Sequence, residues 1–135
     1  MTNKTNLPAS NRLSLLWLSL GTVLLMLSSG SFGVAIAAWL APVFLIRFFR
    51  SQSVGKGFGL TLLSIYIAFG ISWRAVLAPF FPLPVYLVFA LLIAVQYSLP
   101  YLADRLLAPR VKGYMATLIF PLAMTTFYFL YNLVS

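Results

Sequence analysis

A chain of 135 residues that is 62% hydrophobic and 7% charged cannot build a soluble surface. Soluble domains hold apolar residues to about 45–50%, and the excess here must face lipid. With no cysteine and no histidine, disulfides, a thiol nucleophile, a zinc site and a haem ligated by these residues are excluded, so the chain is read without metal or cofactor. Nine Lys and Arg against one acid give a net charge of +8, which in a membrane protein points to anionic inner-leaflet headgroups as partners and away from nucleic acid.

Residues 1–12 are polar, carry Lys4 and Arg12, and are assigned to a cytoplasmic tail. A single helical membrane domain over 13–135 follows. Its first span is the uncharged run "LSLLWLSLGTVLLMLSS" at 13–29. The competing reading is a signal peptide, but the run exceeds the ~7–15 residues of a signal core. The small residues "SSGSFG" suit a tight turn before a second apolar segment at 34–49, which ends in Arg47 and Arg50 and either spans or is re-entrant. A basic loop with Lys56 leads to a third span over 58–78. Pro79, Pro82 and Pro84 then force a turn, because proline lacks the amide donor and disfavours helix in the residue before it. A fourth span covers 83–107 and a fifth 114–134. The continuous apolar runs exclude a barrel, whose strands alternate polar and apolar over about 9–11 residues. The predicted fold is all-α, a polytopic membrane protein of about five transmembrane helices.

Basic residues alternate along this order. The tail holds two; Arg47, Arg50 and Lys56 lie at the second connection; Arg105, Arg110 and Lys112 lie at the last; the other connections are bare except for Arg74 in the third segment. Cytoplasmic loops collect Lys and Arg, so the amino terminus is expected inside and the carboxyl terminus outside.

Asp104, the sole carboxylate, falls near the carboxyl end of the fourth span, where the helix dipole disfavours it. Its i±3 and i±4 neighbours carry no base, so a partner must come from elsewhere: Arg110 folding back past Pro109, or Arg47, Arg50 or Lys56 from the neighbouring connection. The alternative is a solvated acid at the membrane edge. One carboxylate excludes paired-acid glycoside hydrolysis and aspartic proteolysis, and a Ser-Lys nucleophile is disfavoured because Lys4, Lys56 and Lys112 lie in hydrated loops.

Arg74, beside Trp73, is a candidate contact for a lipid phosphate, against the plainer reading that it snorkels to the outer headgroups. Pro42, Pro100 and Pro121 each free a carbonyl four residues earlier and predict kinks. Gln96, Tyr97 and Ser98 form the most polar interior stretch, read as an interhelical hydrogen-bonding cluster.

"AIAAWLAPVFLIRFFR" at 35–50 and "YSLPYLADRLLAPRVKGYMATLIFPLAMTTFYFLY" at 97–131, with the pair Trp73 and Arg74 and the proline turn after it, resemble the amino-terminal membrane region of apolipoprotein N-acyltransferases and related membrane-bound nitrilase-family carbon-nitrogen hydrolases. The resemblance implies a bacterial inner-membrane platform for a periplasmic nitrilase domain, which transfers an acyl group from phospholipid to a lipoprotein amine through a Glu-Lys-Cys triad. This chain has neither Glu nor Cys, so no catalytic residue carries over. The expectation is a platform inactive alone, as a truncated or split product would be, paired with a separately encoded nitrilase-type remainder. A small multi-pass scaffold that binds lipid or a partner is the alternative. A transporter is weaker, for want of repeated interrupted helices.

Overall fold

The computed structural model describes residues 7–134, with side chains described over 11–133. In chain order it contains α1 (Leu7–Ser28), α2 (Ala35–Ser51), α3 (Val54–Ser72), the single turn α4 (Arg74–Leu77), α5 (Leu83–Leu107), a 3-10 turn (Ala108–Arg110) and α6 (Met115–Val134). Helix is what these runs must form in lipid, because it pairs each amide within its own segment. Pro84 sits in the first turn of α5, where its missing donor costs nothing. Among the described residues there is no strand.

Four helical segments are long and apolar enough to cross a membrane: Asn11–Ser28, Val54–Ser72, Leu83–Arg110 and Met115–Leu133. α2 has 17 residues, about 25 Å of helix, short of a ~30 Å hydrocarbon core. It nevertheless runs the height of the bundle antiparallel to α1. The Val34 amide bonds the Leu27 carbonyl at 2.8 Å at one end, Gly21 abuts Leu45 midway, and Ser14 Oγ lies 2.9 Å from Ser51 Oγ at the other. A re-entrant segment would return to the end it left; α2 does not.

The first helix starts at Leu7, ahead of its apolar span of Asn11–Ser28, which lies close to the expected 13–29; residues 1–6, with Lys4, lie outside the described residues. One expected boundary is corrected. The third span does not continue to 78: α3 stops at Ser72 and the chain turns at Trp73. The reason is local. The Ser72 carbonyl accepts from the Ser31 amide at 3.2 Å and from Ser31 Oγ at 3.2 Å, while the Val76 amide that would have used it bonds Trp73 O instead, at 3.1 Å.

The five long helices go up and down. α1 and α2 pack along their length, α3 lies between α1 and α5, and α6 packs on α5. The core holds Leu45, Phe49, Ile65, Phe69, Ala94 and Tyr101, with the ring of Phe120 of α6 tilted against Tyr101 at a centroid distance of 4.7 Å. Much of the rest of the interior is small: Ala37, Ala41, Ala68, Ala90, Thr61, Ser64, Ser72 and Ser98 are buried, while Trp39 is 82% and Leu133 70% exposed. Small residues inside and large apolar ones outside is the packing of helices in lipid, where close backbone approach replaces the hydrophobic effect.

The helix order gathers Arg12, Arg47, Arg50, Lys56, Arg105, Arg110 and Lys112 at one end of the bundle. Arg74 lies at the other.

Candidate functional site

The basic end is held by one ion pair. Arg50, in the last turn of α2, donates from Nε to Asp104 Oδ2 and from Nη2 to Asp104 Oδ1, both at 2.8 Å. The two-pronged geometry matches a guanidinium to a carboxylate. The Asp104 side chain is 3% exposed and that of Arg50 is 42% exposed. Arg50 sits where two helices end, so both dipoles favour its charge and the pairing offsets the cost of a carboxylate there. Hydrogen bonding to Asp104 raises the Arg50 pKa above its ordinary value, with burial acting the other way.

Of the partners expected for Asp104, the structure supplies Arg50 and not Arg110. Arg110 lies exposed in the 3-10 turn after α5. Nor is Asp104 a solvated acid at the edge of the bundle.

A second polar chain runs alongside. Arg105 Nη2 donates to the Gln52 carbonyl at 3.3 Å, Gln52 Nε2 donates to Ser14 Oγ at 2.6 Å, and Ser51 Oγ donates to the Phe48 carbonyl at 2.7 Å. Together with the ion pair it links α1, α2 and α5 at one level. Arg47 lies 4.6 Å from the centre of the Trp17 ring, a cation over an aromatic face. Neither Gln52 nor Ser14 carries a sequence signal for this role; only the two-residue connection between α2 and α3 brings them together.

The other candidates fare differently. Arg74 is exposed in α4, beyond the end of α3. Trp73 packs against the core and its Nε1 is buried with no partner among the described residues. Gln96, Tyr97 and Ser98 make no hydrogen bond to another helix among the described residues. Ser98 Oγ donates back to Val95 O of its own helix at 2.8 Å, and the Tyr97 ring packs tilted against Phe69 at a centroid distance of 5.0 Å. The interhelical hydrogen bonds lie nearer the bundle ends. Ser72 Oγ is 2.9 Å from Met26 O, and Tyr86 donates to Gly70 O at 2.6 Å.

α2 and α6 do not close on each other. Between them runs an apolar cleft of about 470 Å³ lined by Pro42, Val43, Ile46, Thr117, Phe120 and Pro121 among others. At its basic end Arg50, Arg105, Ala108, Pro109 and Ala116 line a pocket of about 250 Å³. This arrangement can hold an amphiphile with an anionic head.

No family model, no curated protein and no solved structure matches this chain.

Proposed function

We propose that the chain is a non-catalytic platform in a bacterial inner membrane, similar in role to the amino-terminal membrane region of apolipoprotein N-acyltransferase-like enzymes of the nitrilase family. The observation that carries this reading is the use made of Asp104. The only carboxylate of the chain is buried and fully engaged in joining α2 to α5. Its charge does structural work at the basic end and leaves no acid for proton transfer.

The basic end faces the cytoplasm, where Lys and Arg collect, and Arg74 and the carboxyl end of α6 face outside. That orientation would place a nitrilase-type partner domain on the outer surface, where it would meet phospholipid and lipoprotein.

The test is a chimera with a nitrilase-type acyltransferase domain joined after Ser135, expressed in cells depleted of their own enzyme. Lipoprotein acylation is expected to return with the chimera and not with the chain alone. Acylation by the chain alone, or a joined domain found on the cytoplasmic face, would contradict the reading.

A further inference from the structure

We infer that the seam between α2 and α6 binds one anionic glycerophospholipid, with its phosphate at Arg50 and Arg105 and an acyl chain along the apolar cleft. The inference deepens the platform reading and rests on it.

The two voids are successive parts of one seam. Ile46 lines the apolar part and Arg50, one turn on, lines the basic part; on the facing helix Thr117 lines the first and Ala116 the second. From Ala38, at the far end of the cleft, to Arg50, α2 rises about 18 Å. Half of a hydrocarbon core is about 15 Å, so the seam has the length of one leaflet with its headgroup level. The prolines inside these two helices, Pro42 and Pro121, both line the apolar part.

The basic part has donors to spare. Arg50 gives Nε and Nη2 to Asp104, which leaves Nη1 on a side chain still 42% exposed. Arg105 gives Nη2 to Gln52 O at 3.3 Å, and its Nε is buried with no partner among the described residues. With Asp104 neutralising one of the two guanidinium groups, one positive charge is left at the pocket. Guanidinium groups favour phosphate through forked, charge-assisted hydrogen bonds. A free phosphate would use the pocket alone; the apolar cleft that continues from it suits an anion with an acyl chain.

The test is native mass spectrometry of the full chain in detergent, titrated with phosphatidylglycerol, with inorganic phosphate and uncharged diacylglycerol as competitors. One lipid per chain is expected to bind. Arg105→Gln should weaken it about tenfold, the loss of one charge-assisted contact. Ala116→Leu, which fills the pocket and leaves every charge and the contact of Arg105 with Gln52 in place, should weaken it by a similar factor, and Arg74→Leu should leave it unchanged. Helical circular dichroism at the wild-type level qualifies each variant. Unaltered binding in Ala116→Leu or in Arg105→Gln would overturn the inference. So would competition by inorganic phosphate at the strength of the lipid, or by diacylglycerol, since either would assign the affinity to one half of the seam. A chain that inserts and supports the chimera but binds no lipid here loses this site alone; a chain that does not insert loses the platform reading.

Discussion

Arg50 and Asp104 share one ion pair but would leave very different remains if separated. Arg50→Met strands a carboxylate that is 3% exposed, and removing one partner of a buried pair costs about 3–5 kcal/mol. Asp104→Asn leaves a half-exposed guanidinium that can turn toward water and headgroups, so its cost should be the smaller, about 1–3 kcal/mol. Unfolding of both variants in detergent measures the difference; equal losses would contradict it. Gly30 is the other single residue with a sharp requirement. Its φ is +60°, and a Cβ there would run into the Ser72 carbonyl. Gly30→Ala should therefore lose about 1–3 kcal/mol from strain alone, read in the same unfolding experiment, and an unchanged midpoint would show that the turn can move. At this scale the sequence pointed to a partner and narrowed it only to four bases. The end of a helix is a poor place for Asp104 whatever surrounds it, which favours a base beside it. That the base is Arg50 depends on α2 and α5 running side by side in the same direction, which no local pattern states.

The helices themselves are where hydropathy was most legible. Apolar runs, proline positions and basic connections placed five long elements, and the bounds of α5 agree with the expected 83–107. The break in the third element was hidden because its cause lies 41 residues away, in the capture of the Ser72 carbonyl by Ser31. The polar stretch at Gln96, Tyr97 and Ser98 misled for a similar reason: a serine can satisfy itself within its own helix, and composition does not show which way it turns. Close packing of α1 on α2 was also invisible. A Cβ on Gly21 would come within 2.7 Å of the Leu45 side chain, itself fully buried. Gly21→Val should push the two helices apart and cost about 1–3 kcal/mol, measurable as a lower unfolding midpoint; a neutral result would mean that the contact is not tight.

The molecule as a whole is polarised. Its described basic residues, Arg74 excepted, share one end with the Arg50–Asp104 ion pair, while small residues fill much of the interior and large apolar ones face outward. That polarity links the fold to the proposed role, because in the proposed orientation the basic end would meet anionic lipid and the other end would carry a partner domain. A chain without cysteine allows it to be tested directly. Single substitutions Lys112→Cys, at the basic end, and Phe80→Cys, in the turn between α4 and α5, can be labelled with a membrane-impermeant maleimide in intact spheroplasts and in inverted vesicles. Lys112→Cys should react only in inverted vesicles and Phe80→Cys only in spheroplasts; reaction of both from the same side would refute the crossing pattern and the platform built on it.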